Sequence, residues 1–322
     1  MKFAPELVSV VIPTYNGKAD LGRLLPLLFS QQVDFPFEVI CVDSSSSDGT
    51  WELLSEHRLA RYRIPKSEFS HGGTRNFGIA KSKGEIVILM TQDAMPTDEH
   101  WMATLVRNYA ARDVAGVYCR QLPRPDGTLL PKIDSALALT CMDARRENRL
   151  SEHADYFTKP PHERRFLCNF DDICSSVRRS VWEKFPFQPV SFAEDLEWSK
   201  RVFEAGYAII FEAEAKVIHS HDRSFMYEFK RSFVTYDAVE TLFGREEDGF
   251  GLPAALRVVG AAPWALHRVY PRMDETAFLE RLHAYYLIGA RALGHAFYNF
   301  WYRNLRVTEL GQKIRGKVYR GV

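Results

Sequence analysis

Along the first hundred residues, short and almost wholly apolar runs alternate with stretches whose apolar residues recur every three or four positions. Leu7 to Ile12, Phe37 to Val42 and the run between Gly84 and Pro96 are bounded by Gly, Pro or polar clusters, which predicts strands buried on both faces. Between them, Leu21, Leu24, Leu25 and Leu28 fall at helical spacing within Asp20 to Ser30. Trp51 to His57 predicts a second helix capped by the polar loop before it, and His71 to Lys81 a third. Tyr62 to Ile64 reads as a short extended piece. Each strand ends in a polar loop, the arrangement of a doubly wound α/β sheet that binds ligands at its carboxyl edge.

Val114 to Cys119 predicts a further strand, followed by a Pro- and Gly-rich loop from Arg120 to Pro131. Residues 132–165 read as helical and heavily charged. Phe170 to Val177 is a polar-rich strand or loop, and a helix opens near Phe192 and runs to Ala205, stopped by Gly206. A second strand-like run leads into Val217-Ile218-His219-Ser220-His221. Beyond about residue 225 the pattern is helical, over Phe225 to Phe243, Pro253 to Val269 and Asp274 to Phe300. The expected division is therefore a domain over 1–224 and a helical region over 225–322.

Composition narrows the partners. The 322 residues are 46% hydrophobic and 26% charged, ample for a large core. A net charge of +1 gives no reason to expect nucleic acid. Five Cys without a CxxC pair read as free thiols in a reducing compartment, with no structural zinc. No run is long enough to span a bilayer and the N-terminus reads as a strand, so the expected location is cytoplasmic.

The candidate chemistry sits at the strand ends. Asp93 follows an apolar run and can either hold a divalent cation or cap the next segment. Asp43 ends its strand where a nucleoside hydroxyl or base could be gripped, or is a solvated turn acid. Arg75, near a helix start, either adds a cation for a diphosphate or makes an ordinary surface pair. An HxH pair along a strand would point both rings to one face, so His219 and His221 are candidate metal ligands, the alternative being one core His and no metal contact. There is no GxGxxG, which lowers the case for a dinucleotide-dependent oxidoreductase.

Taken together, Val10-Val11-Ile12-Pro13-Thr14-Tyr15-Asn16, Val42-Asp43 through Asp48-Gly49-Thr50, Arg75-Asn76-Phe77-Gly78, Thr91-Gln92-Asp93 and Ala193-Glu194-Asp195-Leu196-Glu197-Trp198 resemble the family 2 inverting glycosyltransferases of GT-A fold. The resemblance covers about two-thirds of the chain. It implies a GT-A type doubly wound, mixed but mostly parallel sheet with a C-terminal helical extension. It implies nucleotide-sugar contacts at Pro13, Tyr15, Asn16, Asp43, Arg75, Gln92 and Asp93, and a divalent metal, Mg2+ or Mn2+, at Asp93 with His219 or His221. Asp195 would be the general base, Glu194 would orient it or contact the acceptor, and Asp171, Asp172 and Trp198 would face the acceptor, Asp171 and Asp172 reading equally as solvated loop acids. The Phe69-Ser70-His71-Gly72-Gly73-Thr74-Arg75-Asn76 stretch looks most like the bacterial rhamnosyltransferase branch, implying a dTDP-L-rhamnose donor, with UDP-sugars the alternative. Two departures stand out: the family's Asp-Asp is Asp43-Ser44, and its Asp-x-Asp is Thr91-Gln92-Asp93.

The last stretch, residues 302–322, carries Arg303, Arg306, Lys313, Arg315, Lys317 and Arg320 against the single acid Glu309. Aromatic anchors beside a basic tail suit an anionic membrane surface and a glycan or polyprenyl-linked acceptor at the inner face of the plasma membrane. A helical cap or homo-oligomer contact is the competing reading. A nucleotidyltransferase would want a Gly-rich basic loop after the first strand, where Pro13-Thr14-Tyr15-Asn16 stands. A non-enzymatic carbohydrate- or membrane-binding module gives the aspartates no role.

Overall fold

The structure, a computed structural model, describes residues 3–137, 139–245, 250–269, 276–320 and 322. The chain begins with β1 (Val8–Thr14), α1 (Lys18–Phe29), β2 (Phe37–Asp43), α2 (Thr50–Ser55), β3 (Ala60–Arg63), α3 (His71–Lys81) and β4 (Ile86–Met90). It continues through β5 (Met95–Pro96), α4 (Trp101–Val106), β6 (Val114–Leu122), α5 (Leu129–Leu137), β7 (Arg146–Asn148), α6 (Pro161–Leu167) and β8 (Cys174–Arg178). Then follow α7 (Arg179–Trp182), α8 (Glu194–Glu204) and β9 (Ala208–Ile218), and the helices α9 (Phe225–Phe243), α10 (Leu252–Val269), α11 (Phe278–Asn304) and α12 (Glu309–Tyr319).

Two compact units result: residues 1–122, 139–159 and 166–219 in one, and residues 123–138, 160–165 and 220–322 in the other. In the first, one sheet has the order β3-β2-β1-β4-β8-β6-β9-β5, with β7 on β9. The strands β3, β2, β1, β4, β6 and β9 run one way, while β8, β5 and β7 run against them. Strand alternation sends Val8, Val10 and Ile12 of β1 and Ile86, Ile88 and Met90 of β4 into one core with Leu21, Leu24, Leu25 and Leu28 of α1 and Trp101 of α4. On the opposite face α3 packs on β1 and β2. Gly78 permits that approach, since a Cβ there would overlap Val11.

Residues 132–165, read as helical from the sequence, are not one helical stretch. α5 ends at Leu137, and β7 and short 3-10 turns lie between it and α6. Their charges serve local pairs such as Arg145–Glu147 and Arg149–Glu147 rather than one helix face. Phe170 to Val177 resolves into a turn and then β8, which inserts antiparallel between β4 and β6. β9 stops at Ile218, so His219 and His221 follow the strand rather than alternate along it.

In the second unit α9 and α11 pack along each other, with α10 on α11 and α12 on α9. Phe233 of α9 meets Phe297, Tyr298 and Trp301 of α11. Leu129, Leu130 and Ile133 of α5 bury with Leu266, Ala284 and Leu287, which is why this segment joins the later helices. The expected pattern from Asp274 begins outside the described residues; its helix runs from Phe278 to Asn304. The basic tail is not free along its length. Trp301 Nε1 donates to the Gly311 carbonyl at 2.8 Å, and Arg315 and Tyr319 both bond to Asp237 of α9 at 2.6 Å.

Candidate active site

The carboxyl ends of β1, β2 and β4 lie side by side, and the loops that follow are stitched together. Tyr15 N–H donates to Gln92 Oε1 at 3.0 Å, and Gln92 Nε2 donates back to the Tyr15 carbonyl at 3.2 Å. Asn16 adopts a left-handed backbone (φ 46°), donates its N–H to Ser46 Oγ and accepts from Ser47 N–H at 2.9 Å. Gly17 is required at the bend, since any Cβ would overlap the Gln92 amide. Tyr15 is exposed, with Lys66 Nζ donating to its hydroxyl at 2.7 Å. Pro13 stays within β1, in register with Val42, and offers no donor.

Asp43 stands at the expected strand end, but its carboxylate is not presented to a ligand. It is fully buried, accepts from Arg63 Nε at 2.9 Å and is tightly bonded to the Ser46 hydroxyl. Asp43 therefore holds the β2 loop and Arg63, whose guanidinium lies over Trp51 at 4.3 Å. Its burial corrects the expectation of a direct nucleoside contact. Arg63, Ser46 and Lys66 were not anticipated, because single polar residues at strand ends and turns carry no spacing signal.

Asp93 follows β4 directly. Its Oδ2 lies 3.6 Å from His219 Nε2, and the His219 backbone is tied to Leu122 at 2.9 Å. His221 follows by two peptide bonds, and one ligand atom from each of Asp93, His219 and His221 lies within 4.8 Å of the others. Two imidazoles and one carboxylate make a donor set that fits a divalent ion, and it suits Mn2+ better than the all-oxygen preference of Mg2+.

The adjacent strand contributes the acids. Thr91 N–H donates to the Ile173 carbonyl at 2.9 Å, so the β4 loop and the turn before β8 are joined. Four carboxylates gather there: Asp171, Asp172, and Glu194 and Asp195 at the start of α8. The buried Arg75 guanidinium bonds Glu194 Oε1 at 2.5 Å and the Asp172 carbonyl at 3.1 Å, and its Nε lies 3.6 Å from Asp172 Oδ2. Burial alone would lower the Arg75 pKa, but Asp172 and Glu194 outweigh it and hold it above its usual value. This commitment departs from the expected diphosphate contact: Arg75 is bound up with the acids.

Asp172 also accepts from Ser175 Oγ at 2.6 Å, and burial pushes its carboxyl up to about 6 against the pull of Arg75. Asp195 receives Leu196 N–H at 2.7 Å and Asp172 N–H at 3.4 Å, and no cation pairs with it among the described residues. Desolvation, then the like charges of Glu194, Asp171 and Asp172, raise its pKa well above the ordinary carboxylate range. Ala193, before the helix, takes a left-handed backbone (φ 59°) that turns the acids inward. Asp171 is half-buried and caps Ile173 N–H at 2.9 Å. Trp198 corrects an expectation: it is 0% exposed, donates Nε1 to the Phe185 carbonyl at 2.7 Å and packs between Phe170 and Phe187. It is core, out of reach of an acceptor.

The strand ends bearing Asp43 and Asp93 and the turn that meets Asp195 thus share one edge of the sheet, across β2, β1, β4 and β8. Residues 9–185 match the family model "Glycosyl transferase family 2". O-antigen chain rhamnosyltransferase RfbN of Salmonella typhimurium is 32% identical over 233 residues, covering 71% of each chain. WbaN of Salmonella anatum, also an O-antigen chain rhamnosyltransferase, is 31% identical over 231 residues, 70% of each chain. The mannosyltransferase PcManGT of Pyrobaculum calidifontis, solved with GDP-Man and Mn2+, superposes with a TM-score of 0.56 at 18% identity, over 94% of this chain and 89% of that one. At that identity the likeness is one of fold, and it bears out the expected GT-A architecture.

Proposed function

Since the chain belongs to glycosyl transferase family 2 and is a glycosyltransferase, we propose that it transfers L-rhamnose from dTDP-L-rhamnose, with inversion, to a glycan or polyprenyl-linked acceptor in bacterial surface polysaccharide synthesis. The observation that carries the mechanism is Asp195, a carboxylate without a counter-cation beside three other acids. Its raised pKa suits a general base near neutral pH. The acceptor hydroxyl gives its proton to Asp195 as its oxygen bonds the anomeric carbon, and the bond from that carbon to the diphosphate oxygen breaks on the opposite side. No covalent enzyme intermediate is needed. Glu194 and Asp172, held by Arg75, keep the start of α8 and the turn before β8 in register, so Asp195 stays aimed at the hydroxyl. Asp171, at the half-buried rim of the cluster, is the acid best placed to accept from an acceptor hydroxyl.

For the donor, the exposed Tyr15 ring with Lys66 on its hydroxyl, and Arg63 behind Asp43, offer a stacking face and two cations for base and diphosphate. Asp93, His219 and His221 would hold a divalent cation, Mn2+ by donor type, which supplies Lewis-acid neutralisation of the departing diphosphate. The choice of rhamnose rests on the RfbN and WbaN similarity and on the His71-Gly72-Gly73-Thr74-Arg75-Asn76 stretch. Product analysis with dTDP-L-rhamnose, UDP-sugars and GDP-mannose, each offered with polyprenyl-linked acceptors and Mn2+, tests it. Transfer from a UDP-sugar and none from dTDP-L-rhamnose would remove the rhamnose assignment and leave the base intact.

A further inference from the structure

In the helical unit a cavity of about 530 Å3 opens between Phe229 of α9, Leu252 of α10, and Leu293, Ala296, Phe297 and Phe300 of α11. That volume is in the range of small-molecule sites, roughly 300–1,000 Å3. The polar groups in its wall are already satisfied. Asn299 Nδ2 donates to the Phe250 carbonyl and its Oδ1 accepts from Arg245, both at 2.9 Å, and Asn304 Nδ2 donates to the Phe300 carbonyl at 2.8 Å. With its asparagine Nδ2 groups engaged and its other side chains apolar apart from Arg303, the wall accepts hydrocarbon. At the end lined by Asn304 stands Arg303, exposed and unpaired with any acid among the described residues.

The surface around it continues the same chemistry. On α10, Leu252, Leu256 and Trp264 fall on one stripe at four-residue multiples, exposed by 57%, 60% and 67%. α10 carries no acid along its length. Phe278, Leu282 and Tyr286 repeat the pattern on α11, which packs against α10. Past the end of α11, Arg306 and Val307 (86% exposed) share a turn, and the exposed Leu310 follows at the start of α12. No helix among the described residues is long and apolar enough to cross a membrane. Glu280 and Glu309 are the acids along these stripes, and the exposed Arg257, Arg303 and Arg306 outnumber them. Apolar stripes with a net basic rim are the pattern of helices lying in an anionic bilayer surface.

We propose that this cavity takes one hydrocarbon chain of an anionic membrane lipid, with Arg303 meeting the headgroup and the outer stripe of α10 seated in the bilayer surface. The inference stands apart from the sugar assignment, since it concerns no residue of the sheet unit. Charge selects this occupant over a second copy of the chain: the exposed Arg257, Arg303 and Arg306 outweigh Glu280 and Glu309 on these segments, and two such net-basic faces would repel.

The test is flotation of the full-length protein with phosphatidylcholine vesicles, with and without phosphatidylglycerol, read without donor or acceptor. Binding is expected only with phosphatidylglycerol, and it should weaken at 1 M salt, where the Debye length is about 3 Å. Arg303→Glu should weaken it by at least about fivefold, from the worth of one basic residue near an anionic surface. Ala296→Trp, which fills the cavity, should abolish uptake of a dansylated sixteen-carbon fatty acid while leaving the melting of the sheet unit unchanged. If Ala296→Trp fails to fold, Leu252→Ser at the exposed rim supplies the same readout. Equal binding to both vesicle types, or fatty-acid uptake indifferent to these substitutions, would overturn the proposal. So would a dimer that Leu256→Ser converts to monomer with no vesicle binding in either form, which would make the stripe a subunit contact.

Discussion

Replacing Asp195 with Asn separates catalysis from stability, because the two are expected to move in opposite directions. A general base contributes about 10²–10⁴-fold, so turnover should fall by that factor, or roughly 3–5 kcal/mol of barrier. Asn keeps an oxygen for Leu196 N–H, the shorter of the two bonds Asp195 accepts, so the structural loss is on the order of 1 kcal/mol. Against that loss stands the cost of the charge. An acid whose pKa is raised by folding stabilises the protein fully below its unfolded value and loses that contribution as the pH rises through its folded value. Asp172, lifted from 3.8 to about 6 by burial, sets the scale: about two units, or roughly 3 kcal/mol.

Asp195 is raised in the same direction by desolvation and by three neighbouring acids. At pH 8 the Asn variant should therefore melt higher than the parent, by roughly 2–4 °C for each kcal/mol of net gain. At pH 4 the difference should vanish or reverse. The assays are single-turnover transfer with saturating donor and thermal melting at both pH values. The parent's turnover should also decline on acidification well before the ordinary carboxylate range, since the base must be ionised. A variant with parental turnover, or one that melts lower at pH 8 than at pH 4 relative to the parent, would refute the reasoning.

Arg75→Met leaves Glu194 and Asp172 buried without their cation, and about 3–5 kcal/mol should be lost in urea unfolding, partly regained on adding Glu194→Gln. His219→Ala and Asp93→Asn should each erase the rise in melting temperature that Mn2+ gives the parent, a rise worth about 2.7 kcal/mol at a hundred times the dissociation constant; an undiminished Mn2+ response in both would end the metal assignment. Trp198→Ala should cost about 3–5 kcal/mol by opening the core, yet leave the acceptor KM unchanged when assayed well below its melting point.

The strands and their order of appearance could be read from the chain because burial on both faces writes itself as unbroken apolar runs, as in Ile86–Met90. The positions of Asp43 and Asp93 at or just past the ends of such runs could be read for the same reason, and Asp195 from the helix that opens around it. What each carboxylate faces could not, because the partners come from far away in sequence: Arg63 reaches Asp43 across 20 residues, and Arg75 reaches Glu194 across 119. Trp198 entered the expected site only through the resemblance of the Ala193–Trp198 stretch, and the fold turns its ring into the core. Residues 132–165 misled through their charge, which in short irregular pieces is spent on local pairs and carries no helical period.

The same asymmetry decides which acid does chemistry. Acids at a helix start are favoured by the macrodipole whatever their role, so Glu194-Asp195 alone leaves the question open. Once Arg75 is seen to engage Glu194 and Asp172, one guanidinium is left facing more acids than it can balance. Among the described residues of the cluster, Asp171 and Asp195 are the two carboxylates with only backbone donors and no ion pair, and of these it is Asp195 that desolvation and its neighbours' like charges raise. A proton is held most readily where no counter-charge competes for the site, so the arginine selects the base by binding the carboxylates that are not it.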